Sequence, residues 1–141
     1  MSQTYSLHKS REELKAQGYD TWITEKPYNP FTRRREDLYN LFDVVGIRGD
    51  CVGVTGIQAC SGDVSGHLHK ILEGYVDSNG KQIPPNPHLA IWLRAGNHFF
   101  IWGWTLRGKK GKRKLWTLRE IEFRLKDGQV VAEEIAHENP L

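Results

Sequence analysis

Two neighbouring apolar segments of the sequence each contain a polar side chain where an apolar one is expected. Asp43 interrupts LFDVVGI, residues 41–47, and Gln58 interrupts VTGIQAC, residues 54–60. A polar group in a buried strand needs a partner, because burying it without one is costly. Carboxylate and amide oxygens are also ligands that Mg²⁺ prefers. The pair is therefore a candidate metal site, and the alternative is a pair of hydrogen-bonded structural side chains.

The turn between these two segments predicts how close the two side chains lie. Its sequence, Arg48-Gly49-Asp50-Cys51, has a Gly-Asp centre that is typical of a two-residue hairpin turn. Such a turn pairs residues whose numbers sum to 99, so that Asp43 faces Gly56 and Gln58 lies diagonally opposite. Because side chains alternate along a strand, these three residues and Cys60 are then expected on one face of the sheet.

Apolar periodicity and turn signals predict the elements around this hairpin. The expected order is one helix, three strands, two helices and three strands. The first helix is predicted to begin at the capping box Ser10–Glu13, the second after Ser61-Gly62-Asp63, and the third at Asn86 as N-cap. Asp127-Gly128 is predicted to join the last two strands as a hairpin. We expect one α/β domain over residues 1–141, with a mixed central β-sheet flanked by helices and a C-terminal β-hairpin.

Composition limits the class of protein. A chain of 141 residues with 38% hydrophobic and 26% charged residues can bury a core without disulfides. Its two cysteines, Cys51 and Cys60, are expected to be free thiols in a reducing compartment. The sequence has no apolar run of about 18 residues and no signal-peptide pattern at its start. We therefore expect a cytoplasmic protein, bacterial or of a phage-infected host, that has no membrane partner.

Two basic clusters stand out against a net charge of only +3. One is Arg33-Arg34-Arg35, and the other places six cations within Arg107–Lys114. Clusters of this kind are typical of surfaces that contact a phosphate backbone, and Trp104 and Trp116 beside the second could pack on it or stack on bases. A solvated hairpin loop is the alternative for the second cluster. The residues predicted to bind nucleic acid are Arg33, Arg34, Arg35, Lys109, Lys110, Lys112 and Arg113.

The element order, with an acid in the second strand and a polar couple in the third, resembles the PD-(D/E)XK nuclease superfamily. That superfamily includes Holliday-junction-resolvase-like and restriction-endonuclease-like proteins, and the resemblance covers about residues 10–104 of this chain. It implies a restriction-endonuclease-like fold, with Asp43 and Gln58 as ligands of Mg²⁺ or Mn²⁺. It also implies an acid from the first helix, Glu12 or Glu13, and we take Glu13 as the expected third ligand.

The same resemblance identifies one departure from the family's motif. The position of the catalytic lysine, two residues after Gln58, holds Cys60. Lys70 in the following helix is the first candidate to replace that lysine, and Lys26 is the second. The implied function is a metal-dependent DNA endonuclease, a homodimer that selects DNA structures such as junctions. The alternative is a nucleic-acid-binding or protein-interaction module on a nuclease fold that has lost its lysine.

Histidines and cysteines suggest other chemistry that the sequence supports less well. His67 and His69 with Cys51 and Cys60 provide the nitrogen and sulfur ligands that zinc favours. Residues two apart on a helix point in different directions, which disfavours a shared ion. A contact of His67 with phosphate, or activation of the Cys60 thiol by His67, remains as a further alternative.

Overall fold

The elements of the chain form one six-stranded sheet with helices on both of its faces. The computed structural model describes residues 2–25, 31, 38–39, 41–108, 111 and 115–136. No helix within these residues is long and apolar enough to cross a membrane. The helices in this part of the chain are α1 (Ser2–Ala16), α2 (Val64–Glu73) and α3 (His88–Arg94). Its strands are β1 (Asp20–Ile23), β2 (Val44–Ile47), β3 (Thr55–Cys60), β4 (Tyr75–Val76), β5 (Gln82–Ile83), β6 (His98–Arg107), β7 (Leu115–Lys126) and β8 (Gln129–Ile135).

The sheet has the strand order β1-β2-β3-β6-β7-β8. Strands β3 and β6 are parallel, and the other neighbours are antiparallel. The connection from β3 to β6 contains α2, α3 and a small β4-β5 hairpin that the sequence did not predict. The predicted class is confirmed: an α/β fold with a mixed central sheet, flanking helices and a C-terminal hairpin, β7-β8.

Each face of the sheet has its own hydrophobic cluster. Leu7 and Leu14 of α1 pack on one face, which we term the α1 face. Helices α2 and α3 cover part of the other, which we term the α2-α3 face. On the α1 face the buried sheet residues are Val44, Ile57, Trp102 and Trp104. On the α2-α3 face the cluster includes Phe42, Cys60, Val64, Ile71, Leu89, Phe99, Ile101, Ile121 and Phe123.

The predicted register of the β2-β3 hairpin is wrong. Val45 lies opposite Gly56, so paired numbers sum to 101 rather than 99. A turn does form, with the N–H of Cys51 donating to Arg48 O at 3.0 Å, but β3 begins only at Thr55. The intervening residues bind the start of β6 instead, because Val54 N donates to Asn97 Oδ1 at 2.9 Å.

The first helix begins at Ser2, so the prediction of a capping box at Ser10 is also wrong. Ser10 is fully buried in the middle of α1, where its hydroxyl accepts a 2.9 Å hydrogen bond from the indole N–H of Trp104. The helix ends at Ala16, and Gly18 follows with φ of 93°. The serine therefore stabilises helix-to-sheet packing rather than the start of the helix.

The two later helices begin close to their predicted positions, with one difference at a terminus. Asp63 is the N-cap of α2, and its carboxylate accepts from Gly66 N at 3.1 Å. The N-cap of α3 is Pro87, not the predicted Asn86. Asn86 still contributes there, because its Oδ1 accepts from His88 N at 2.9 Å.

Candidate functional site

Asp43 lies at the end of the loop that enters β2, and the surrounding backbone fixes its position. The residue is 1% exposed, and its Oδ2 accepts a 2.7 Å hydrogen bond from the N–H of Ala59 in β3. Its own N–H donates to Ile57 O at 2.9 Å, and its carbonyl accepts from Thr24 N at 2.8 Å. Backbone groups of two neighbouring strands therefore hold this carboxylate in place.

Gln58 immediately precedes the residue that binds the Asp43 carboxylate. It is half-buried in β3, opposite Ile101 of β6. Its Oε1 is buried and accepts no hydrogen bond from any residue that the structure describes. A buried amide oxygen without a hydrogen-bond donor costs free energy of folding, so a ligand that binds this atom would recover that cost. The structure thus brings Asp43 and Gln58 together, as the sequence predicted, although through a different register.

Cys60 stands two residues beyond Gln58, on the same α2-α3 face. The side chain is 5% exposed, and its burial, together with the negative charges of Asp63 and Asp43, raises the pKa of its thiol to about 11. The thiol is therefore protonated at neutral pH, so it is neither a nucleophile nor an anionic ligand. This makes the alternative of a Cys60 nucleophile activated by His67 chemically unfavourable.

Charges of both signs act on the Cys60 thiol at this end of β3, because Arg119 lowers its pKa while two acids raise it. Asp43 and Asp63 both oppose a thiolate there, which means that both contribute negative potential at the same place. His67, one turn into α2, is half-buried. Burial lowers the pKa of His67, Asp63 partly counteracts that, and Lys70 lowers the pKa further. We therefore expect a neutral imidazole near the Asp63 carboxylate.

Glu25 is a third acid near Asp43 that the sequence analysis missed. Its N–H donates to Asp43 O at 3.3 Å, and its Oε2 is buried although the residue is only half-buried. No local pattern in the sequence marks this residue as a ligand. The sheet pairing that places β1 beside β2 is what brings it to Asp43.

Three residues with oxygen-bearing side chains meet at one end of the sheet. The buried atoms Asp43 Oδ1, Gln58 Oε1 and Glu25 Oε2 lie in residues that converge at the β1-β2-β3 junction. Mg²⁺ commonly uses one or two carboxylates and completes its shell with water and phosphate oxygens. Within the described ranges, no three His, Cys, Asp or Glu side chains form a group that could hold a metal ion. A site here would therefore depend on the Gln58 amide and on ligands from outside the protein.

The other two predicted site residues lie on helices and have partners of their own. Glu13 is in α1, which packs on the α1 face, and its carboxylate accepts from Gln17 Nε2 at 2.8 Å. Lys70 is exposed near the end of α2, and its Nζ lies 5.2 Å from the centre of the Tyr75 ring. Neither helix position is part of the β1-β2-β3 junction that brings Asp43, Gln58 and Glu25 together.

The predicted zinc ligands are separated in the fold. Cys51 Sγ lies 3.9 Å from His98 Nε2, close to the start of β6, whereas Cys60 ends β3. His69 pairs with Glu73 at 3.1 Å on the exposed side of α2. These contacts leave no shared position for an ion among the described cysteines and histidines.

Only part of the predicted nucleic-acid surface can be placed. Trp104 is 6% exposed, and Lys9 Nζ lies 5.1 Å from the centre of its ring, so it packs in the core rather than offering a face to bases. Trp116 stacks on Tyr5 with centroids 4.9 Å apart. The remaining predicted contacts lie outside the described residues: Arg33, Arg34, Arg35, Lys109, Lys110, Lys112 and Arg113. Lys26, the second candidate for the catalytic lysine, also lies outside them.

Comparisons with known proteins give no family for this chain: no family model, no curated protein and no solved structure matches it.

Proposed function

We propose that this chain is a metal-dependent DNA endonuclease of the PD-(D/E)XK type, selective for DNA structures such as junctions. The observation that carries the proposal is the pair formed by Asp43 and Gln58. A buried carboxylate is fixed by the Ala59 N–H, and the buried Gln58 Oε1 beside it lacks a hydrogen-bond donor among the described residues. An oxygen pair of this kind, in a region of negative potential, suits Mg²⁺ or Mn²⁺.

The roles of the protein's own groups follow from this arrangement. Asp43 would be the anionic ligand and Gln58 the neutral one. Glu25, whose N–H donates to Asp43 O, would be the source of a second carboxylate. Mg²⁺ or Mn²⁺ held there would supply Lewis-acid polarisation of the phosphodiester and an activated water. The cation that the motif places at the Cys60 position would have to come from elsewhere in the chain, and Lys70 and Lys26 are the proposed sources.

A test combines metal binding with cleavage. Labelled branched, linear duplex and single-stranded DNA is incubated with the protein in Mg²⁺, Mn²⁺ or EDTA. Cleavage is expected only with a divalent ion, and it should be lost in Asp43→Asn, since Asn can still accept from Ala59 N but carries no charge. Asp20→Asn, at an exposed position of β1, is the matched control. Equal cleavage by Asp43→Asn and the parent protein would refute the assignment.

A nucleic-acid-binding module that has lost catalysis is the second candidate. It is favoured by Cys60, whose pKa of about 11 leaves a neutral thiol where the family's motif has a lysine. This candidate predicts Asp43-dependent metal binding and DNA binding without cleavage. The same experiment therefore separates the two functions, provided that metal affinity is measured directly by titration with Mn²⁺.

A homodimer belongs to the same proposal. Cutting both strands of a junction requires two sites, and a two-fold dimer supplies them symmetrically. Light scattering with and without junction DNA tests it, and a monomer in both conditions would refute it.

A further inference from the structure

The turn that leads into Asp43 contains a strained tyrosine. Leu41 N donates to Leu38 O at 3.0 Å and so closes the turn, in which Tyr39 has φ of 55°. A positive φ is unfavourable for a residue with a large side chain, because its Cβ approaches backbone atoms. Residues held in such conformations are concentrated at binding and active sites.

Contacts from the α3 region hold this tyrosine in place. Asn86 Nδ2 donates to Tyr39 O at 2.9 Å. The Tyr39 ring stacks on the His88 ring, with centroids 4.9 Å apart and planes 26° from parallel. It also meets the edge of Phe42, with centroids 6.4 Å apart. Phe42 is buried and immediately precedes Asp43, so the stacked pair is packed against the chain that carries the carboxylate.

The stacked pair is at the surface. Tyr39 is 49% exposed, and His88 is also exposed at the start of α3. We term these two rings the Tyr39-His88 shelf. The hydrogen bond from Asn86 and the stacking with His88 maintain the unfavourable backbone conformation of Tyr39. As a result, two nearly parallel rings are open to solvent. Neither ring fills the hydrophobic core, so core packing does not account for the arrangement.

We propose that the Tyr39-His88 shelf stacks on an unpaired nucleobase of the DNA substrate beside Asp43. Aromatic side chains bind single-stranded nucleic acid in this way with little sequence preference, because every base has a π-face. A base inside a duplex already stacks on its neighbours, so the shelf favours DNA in which a base is unpaired, at a fork, branch or frayed end. The inference rests on the proposed action on DNA and defines its substrate class more closely.

The chain offers a matched control on the opposite side of the sheet. Tyr5 in α1 stacks on Trp116 with centroids 4.9 Å apart and planes 27° from parallel, and it is also 49% exposed. Its exposure and ring geometry are therefore the same as those of Tyr39. Loss of Tyr5 removes an equivalent ring without affecting the turn before Asp43.

The experiment measures DNA binding in EDTA, so that no cleavage occurs. One probe is a forked DNA with 2-aminopurine at an unpaired position, and the other has the same sequence fully paired. Tyr39→Gly removes the ring and suits the positive φ, so this variant should fold, which thermal melting checks. We expect it to bind the fork about 5- to 150-fold more weakly while its affinity for paired DNA changes little. Tyr39→Phe and Tyr5→Ala should bind like the parent protein, and only Tyr39→Gly should lose the fluorescence change.

Each outcome separates this inference from the nuclease proposal. If the parent protein and Tyr39→Gly bind the forked DNA with equal affinity, the proposed stacking on the Tyr39-His88 shelf is wrong, whatever the result of the cleavage assay. A Tyr39-dependent preference for the fork in a protein that never cleaves would support the shelf and refute only the nuclease. Failure of the parent protein to bind either DNA would overturn both.

Discussion

Asp43 and Ala59 are joined by a 2.7 Å hydrogen bond from the Ala59 N–H to the Asp43 carboxylate. The bond comes from backbone, so the side chain at position 59 has no part in it. It also joins the residue just before β2 to β3, which ties the position of the carboxylate to the pairing of these strands. Gln58, the residue before Ala59, is thereby held next to Asp43. The proposed site thus depends on strand pairing rather than on flexible side chains.

Replacing Gln58 by Glu should strengthen metal binding. Two opposite unit charges about 4 Å apart in a partly buried site attract each other by on the order of 4 kcal/mol, before the free-energy cost of desolvating them is subtracted. We therefore expect affinity for Mn²⁺ to rise by about tenfold or more, measured by titration. In EDTA the variant should be less stable than the parent protein, because a second carboxylate lies beside Asp43. Gln58→Met is the control that should weaken binding, and unchanged affinity in both variants would exclude Gln58 as a ligand.

Cys60 should make stability depend on pH only in the alkaline range. Its thiol has a folded-state pKa of about 11, compared with 9.0 when unperturbed. Above pH 9 the unfolded chain releases this proton while the folded protein keeps it, so the free energy of unfolding falls as pH rises from 9 to about 11. Below pH 9 the contribution is fully present. Urea unfolding is measured for the parent protein and Cys60→Ala between pH 9 and about 11. Only the parent protein should show the additional fall in the free energy of unfolding with rising pH.

Labelling of thiols gives an independent check of the same environment. Only the thiolate reacts, so buried Cys60 should resist an alkylating reagent at pH 8, whereas half-buried Cys51 should react. Cys51→Ser should therefore abolish labelling of the folded protein. Rapid labelling of that variant would contradict a buried, protonated Cys60.

The class of fold could be predicted because its signals are local. Alternating apolar residues, the Asp127-Gly128 turn and the periodicity of α2 each specify one element without reference to the rest. The confirmed hairpin shows this, since Lys126 pairs with Gln129 around that turn. The start of α1 could not be predicted in this way, because Ser10 has the same local pattern whether it caps a helix or accepts from a distant Trp104.

The register of β2 and β3 depended on contacts that are distant in sequence. Gly53 has φ of 88°, and a Cβ there would lie 2.0 Å from the carbonyl oxygen of Gly96. The residues after the turn therefore pack against the start of β6, and β3 pairs with β2 only from Thr55 onward. The sequence identified Asp43 and Gln58 as residue types suited to a metal, but Glu25 and the Tyr39-His88 shelf arise from tertiary contacts with no local signal.

Lys70 is predicted to act in the chemical step if it replaces the missing lysine. Lys70→Ala should then lower the cleavage rate much more than DNA affinity, because a contact made in the transition state contributes to the rate rather than to ground-state binding. Its Nζ lies over the Tyr75 ring, so Tyr75→Ala is the control for loss of that packing. Equal losses of rate and affinity in Lys70→Ala would instead assign the residue to phosphate binding.

The basic cluster at 107–114 should contribute to affinity for DNA and not to metal binding. Each cation that contacts a phosphate releases counterions, and each contributes about 0.9 to the slope of log affinity against log salt on duplex DNA. Replacing Lys109, Lys110, Lys112 and Arg113 by Gln should therefore weaken binding to all sequences and flatten the slope. Affinity for Mn²⁺ should stay nearly unchanged, because none of the four residues belongs to the oxygen set around Asp43.

A second variant separates local contacts from a general loss of positive charge. It also replaces four cations by Gln, at exposed positions elsewhere on the protein: Lys15, Lys81, Arg94 and Lys126. Both variants have the same net charge, so a long-range effect of charge would weaken DNA binding equally in the two. Direct contact predicts a flatter salt slope for the cluster variant alone, measured by titration at several salt concentrations. Parallel slopes and equal affinities for the cluster variant and the parent protein would show that the loop is only solvated, and the predicted DNA contacts would then rest on Arg33, Arg34 and Arg35.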